Sequence, residues 1–130
     1  MYSITKKDYG WLLVFGDSIS EVEMMKWVEE SKKVLAMGSK KDFGVFVDMR
    51  TLKPLAQSTK DIMVKGQMLF KQAGMVRSVV ILQSAVITMQ FKRIAKESGI
   101  DAWERYISAE TTPDWQKKGE EWLKSGKDPD

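Results

Sequence analysis

The chain contains no cysteine and no histidine. Without cysteine there is no disulfide framework, no thiolate nucleophile and no zinc-finger site. Without histidine there is no Ser-His-Asp triad, no haem histidine and no histidine metal cluster. Long hydrophobic runs are also missing: nothing approaches the roughly 20 apolar residues of a membrane span. The opening MYSITKKDYG lacks the apolar stretch of a signal peptide. The expectation is a cytoplasmic protein that is not an integral membrane protein. Neither sign of charge dominates, with 21 Lys+Arg against 18 Asp+Glu. This balance is far from the dense basic surface of a nucleic-acid binder, so no nucleic-acid partner is expected. No glycine-rich phosphate cradle is present, because Gly66, Gly74 and Gly99 stand singly. No catalytic constellation emerges, and the expectation is a non-enzyme without a cofactor.

What is there suits one domain over residues 1–130, 43% hydrophobic and 30% charged, with enough apolar material for a core. The charge is unevenly spread. Glu21, Glu23, Glu29 and Glu30 crowd one segment. Arg50, Lys53, Lys60, Lys65, Lys71 and Arg77 dominate another. Two solvated helix faces are the ordinary reading, and surfaces for different partners the functional one.

Tyr2–Thr5 and Gly10–Phe15 are β-rich runs that predict an opening antiparallel hairpin. Ser20 and Glu23 form a capping box, predicting a helix to about Met37 with Met24, Val28 and Leu35 inward and Gly38 as its stop. Phe43–Met49 is a strand, apolar until Asp48. Ser58 and Asp61 predict a second cap, followed by a stripe of Ile62, Leu69 and Ala73 with Met63 and Phe70 alongside, closed by Gly74. Gly66 inside that helix costs about 1 kcal/mol against alanine. It either weakens the helix or lets another backbone come close. Val76–Leu82 is a third core strand. A third helix begins at Ser84 or Thr88, with Ile87, Phe91, Ile94 and Ala95 inward and Gly99 at its end. Glu104–Ser108 is a last strand, and Thr112-Pro113 predicts the cap and first turn of a closing helix.

Strands alternating with helices predict an α/β fold: a five-stranded, mostly parallel sheet, an antiparallel N-terminal edge strand and about four helices. The order of elements, GVFVDM (44–49) ending in Asp48, VRSVVIL (76–82) and EEWL (120–123) carry a resemblance over nearly the whole chain. It resembles the STAS domain group, most closely the sporulation anti-anti-sigma-like branch, and is also similar to CRAL-TRIO lipid-binding domains. The resemblance implies a regulatory module whose switch serine opens the second helix, about ten residues after the aspartate. That position is Ser58. Its setting, Ala56-Gln57-Ser58-Thr59, lacks the acidic residue and the glycine of the family's motif, and Ser58 is expected to act as an unphosphorylated helix cap.

Around it, Asp48 is a candidate ligand-facing carboxylate, with bonding to the amides of Thr51–Leu52 as its structural alternative. Arg50, Lys53 and Lys60 are candidates to gather about an anion at the second helix's amino terminus, near Ser58 and Thr59. Met63, Met68, Met75 and Met89 are core fillers or an adaptable binding surface. Trp103 and Trp115 flank polar turns and mark a possible contact surface, and with it a homodimer. Two functions are therefore expected. The first is a non-enzymatic module docking a protein partner through the loop after Asp48 and the second helix. The alternative is a carrier of a lipid or other small apolar ligand beneath that helix.

Overall fold

The computed structural model describes residues 1–37 and 41–130. The Gly38 stop lies outside the described residues. The elements are β1 (Tyr2–Lys7), β2 (Gly10–Phe15), α1 (Glu21–Ala36), β3 (Phe43–Asp48), α2 (Gln57–Ala73), β4 (Met75–Leu82), α3 (Ala85–Ser98), β5 (Glu104–Ser108) and α4 (Trp115–Ser125). The sheet has strand order β1-β2-β3-β4-β5. β1 pairs antiparallel with β2, and every later pair is parallel. The fold is the expected α/β architecture, with β3 and β4 interior.

Each parallel step moves one strand in the same direction. Right-handed crossovers then place α1, α2 and α3 on one face of the sheet. α1 packs on α2 and α2 on α3, while α4 covers β3, β4 and β5 from the other face. Side chains alternate accordingly. Leu13, Phe15, Val45, Val47 and Val80 point under the three-helix layer. Phe46, Val79, Ile81 and Ile107 meet Trp122 and Leu123 of α4. Among the described residues, no helix is long and apolar enough to cross a membrane.

Two expected caps form. Ser20 Oγ accepts from the Glu23 amide at 3.1 Å, and Ser84 Oγ accepts from the Ile87 amide at 3.3 Å. The cap expected at Ser58 does not. α2 is capped by Ala56, without a side-chain bond, and Ser58 lies exposed in the first turn. The reason is tertiary. Leu55 is buried, and the Gln90 amide of α3 grips its backbone from both sides, accepting from Leu55 N–H at 3.1 Å and donating to Leu55 O at 3.3 Å. That grip starts the helix early. α4 differs too: Thr112 and Pro113 stay in a turn, closed by Trp115 N–H on Thr112 O, and the cap is Asp114.

The inward stripe of α2 is turned from the expected one. Thr59, Met63, Gly66, Gln67 and Phe70 are buried, while Ile62, Leu69 and Ala73 sit half-buried on its shoulder. Gly66 explains the rotation. It admits the indole of Trp27 from α1, a side chain where close approach of a backbone was expected. A Cβ on Gly66 would stand 1.9 Å from Trp27 Cζ3. The same indole meets Phe15 edge-on at 5.1 Å and stacks on Phe70 at 6.0 Å. On the opposite face, Gly119 lets α4 rest on Phe46, whose ring would lie 2.5 Å from an added Cβ.

Two expectations follow for urea denaturation. Gly66→Ala gains about 1 kcal/mol of helix propensity but overpacks Trp27, and the clash wins, lowering stability by about 2 kcal/mol or more. An unchanged or raised midpoint would contradict this packing. Ser58→Ala removes no cap bond and changes stability by less than about 0.5 kcal/mol. A loss near 1 kcal/mol would restore Ser58 as a cap.

Candidate functional site

β3 delivers Asp48 to the carboxyl edge of the sheet, half-buried on the α4 face. Its carboxylate is engaged by Arg50 and not by the amides of Thr51 and Leu52. Oδ1 accepts from Arg50 N–H at 3.1 Å and from Nε at 3.0 Å, and Oδ2 accepts from Nη2 at 3.0 Å. This fork-on-carboxylate pairing holds the guanidinium flat. Its centre lies 4.4 Å from the ring centroid of Trp115, which in turn tilts against Phe46. The clamp joins the end of β3 to the start of α4.

The clamp also decides the fate of the expected anion site. Arg50 is drawn to the α4 face. Lys60 rides on α2, on the opposite face, and the exposed Lys53 is held by its own backbone bond to Asp17 O at 3.0 Å. Arg50 and Lys60 thus belong to opposite faces of the sheet. Thr59 is buried in the helix layer. The sheet also lacks a strand-order reversal, so no crevice opens between crossovers leaving on opposite faces. Beside the clamp lies a groove of about 190 Å³, lined by Tyr9, Leu12, Phe46, Asp48, Trp115 and Glu120 among others. Burial, and then the nearby Glu120, pushes the Tyr9 phenol well above its ordinary pKa.

The methionines divide. Met63 and Met75 are core residues, 2% and 6% exposed, whereas Met68 and Met89 stand out at 42% and 63%. Val22 and Met25 on α1 and Val86 on α3 are also exposed, and the sequence reading had not singled them out as a surface. Trp103 and Trp115 are half-buried and engaged within the chain. Beneath α2, Met63, Met75, Gln67 and Glu104 help to line a cavity of about 20 Å³. That volume holds one water and not a lipid chain.

The sequence reading missed a buried polar cluster at that cavity. Glu104 is fully enclosed and accepts from Ser78 Oγ at 2.8 Å. Tyr106, two residues on and on the same face of β5, contacts Glu104 Oε2 and also reaches Phe91 O at 3.3 Å. The phenol has one hydrogen for two acceptors. That hydrogen is shared between Glu104 Oε2 and Phe91 O. Burial is the main reason that the carboxyl is pushed up to about 7, and the bonds from Tyr106 and Ser78 only partly oppose it. Nearby, Ser98 Oγ donates to Gln67 Oε1 at 2.6 Å, tying α3 to α2. The legible signal was an i, i+2 pair of polar residues at inward strand positions.

A carboxyl raised in the folded state makes the fold bind more protons than the unfolded chain between its ordinary pKa of 4.5 and about 7. The contribution of Glu104 to stability is therefore fully present below this window and falls as pH rises through it, by about 3 kcal/mol. Glu104→Gln keeps the shape and hydrogen bonding of the neutral acid. It should remove that slope and leave the variant more stable than the parent at about pH 8. Urea midpoints across this range are the check, and parallel slopes for the two proteins would refute the assignment.

No protein-family model and no curated protein matches the chain, so its own residues carry the functional reading.

Proposed function

We propose that the chain is a non-enzymatic interaction module that binds a protein partner on the outer surface of the α1–α3 layer. The observation that carries this reading is the apolar relief of that surface. Val22 and Met25 on α1, Met68 on α2, and Val86 and Met89 on α3 are 42–63% exposed. Methionine suits such a surface because its unbranched, polarizable side chain adapts to a partner's relief. The resemblance to regulatory STAS domains agrees with a partner met through the second helix, although the loop after Asp48 is closed on itself by Arg50 and Trp115. The carrier alternative draws no support from a cavity the size of one water.

The test is quantitative affinity capture from the source cells, comparing the parent with a Met68→Glu, Met89→Glu double variant. Both changes are at exposed positions and should leave the melting temperature nearly unchanged. A partner held by the parent and lost by the variant supports the module. Identical recoveries from both proteins would overturn it. Native mass spectrometry should return the bare 14.9 kDa chain or its multiples, and a co-purifying apolar mass would transfer the case to the carrier.

A further inference from the structure

α2 carries Lys60, Lys65 and Lys71 against Asp61, and α3 carries Lys92, Arg93 and Lys96 against Glu97. Among the described residues, none of these six cations lies within ion-pair distance of a carboxylate. Lys92 leans over the Tyr106 ring at 5.6 Å, and Asp61 accepts from Gln57. The ion pairs of the described residues all lie elsewhere: on α1, at Asp48, and around α4 and the chain ends.

Helix geometry gathers much of this charge beside apolar side chains. Gln67 faces α3, because it accepts from Ser98. Lys60, Val64 and Lys71 fall on the same side of α2, at spacings of one or two helical turns. Gln90 faces α2, because it grips Leu55. Val86, Arg93 and Glu97 fall on that side of α3 by the same spacing. Met68 and Met89 stand outward, beside this seam. The seam between α2 and α3 thus carries Lys60, Lys71 and Arg93, with Glu97 as its one acid, beside exposed methionine and valine, and among the described residues these three cations enter no ion pair.

We infer that this strip binds an acidic protein segment that presents apolar side chains between its carboxylates, as an acidic amphipathic helix does. The inference rests on the module reading and names the partner's chemistry. Carboxylates would meet Lys60, Lys71 and Arg93 along the seam, none of which has an ion-pair partner among the described residues, which favours encounter and register. Apolar side chains would cover Met68, Val86 and Met89 in the manner of a helix laid in a groove. A bilayer fits less well. Membrane-surface helices bury Trp, Phe and Leu on their apolar face. Here Trp11, Trp27 and Trp122 are buried, Trp103 and Trp115 are engaged elsewhere, and the strip offers only methionine and valine.

The experiment is a fluorescence-anisotropy titration of the full chain with a labelled helical peptide that carries Leu on one face and Glu on the other. Its counterpart with Lys for Glu, and vesicles of phosphatidylcholine with phosphatidylserine, serve as comparisons. Saturable binding of the Glu peptide, weakened as salt rises from about 50 to about 500 mM, is expected. Lys71→Glu with Arg93→Glu should weaken it by about tenfold or more, and Lys117→Glu with Lys118→Glu on α4 should change it by less than about twofold. Equal binding of both peptides, equal losses in both variants, no binding, or binding to vesicles alone would each overturn the inference. Failure of the strip is separable from failure of the module. A cellular partner retained by the Lys71→Glu, Arg93→Glu variant defeats only the strip, whereas the absence of any partner lost with Met68 and Met89 defeats the module itself.

Discussion

The handedness of the crossover connections organises this molecule. With strand order β1 to β5 running without reversal, each right-handed crossover lands on the same side of the sheet. Three helices must share that face, and α2, the middle one, packs against both neighbours as well as the sheet. The opposite face depends on α4, which reaches β3 to β5 and leaves the flank over β2 half-exposed. A monotonic order also removes the crevice that a doubly wound sheet offers to small ligands.

Crowding in the helix layer explains the local oddities. A bulky residue at position 66 would push α2 off Trp27, and the indole fills the junction of α1, α2 and the sheet only because Gly66 has no side chain. The helix accepts a propensity cost of about 1 kcal/mol to seat a ring whose burial is worth two or three times as much. The fit is not complete: Trp27 Nε1 and Ser31 Oγ are buried without a partner, and the small cavity lies beside that indole. A polar cluster closes the same region from β5, where Glu104 accepts from Ser78 and Tyr106 while burial pushes its carboxyl up to about 7.

The features legible in the sequence were those written in local chemistry. The strand and helix order, the caps at Ser20 and Ser84, and the helix ends at Gly74 and Gly99 follow from periodicity and from residues acting on their own neighbours. The errors arose where a distant residue decided. Gln90, far along the chain, fixes Leu55 and moves the start of α2 past Ser58. Arg50 takes Asp48 and turns toward Trp115, which sets a candidate anion ligand on the wrong side of the sheet from Lys60. Glu104 and Tyr106 read as ordinary polar strand residues, because only the packing of α2 and α3 over β5 encloses them. Met63 and Met68 are indistinguishable by composition, and the rotation of α2 about Gly66 alone separates core from surface.

That rotation also links the core to the proposed interaction face. With Gly66 against Trp27, the shoulder of Ile62 and Leu69 turns toward α1, and Lys60, Val64 and Lys71 turn toward α3. A helix rotated by one residue, about 100 degrees, would bury different side chains and bring the lysines out of line with Arg93. The acidic residues of the chain are spent differently. Among the described residues, Glu23 and Glu29 of α1, with Asp8, Glu121 and Asp128, enter ion pairs with Met1, Lys32, Lys124, Lys127 and Arg105, whereas the cations of α2 and α3 enter none. The net charge of +3 therefore understates the charge of α2 and α3, which together carry six cations against two acids. The ring that fits Gly66 thus decides which of the α2 lysines face α3.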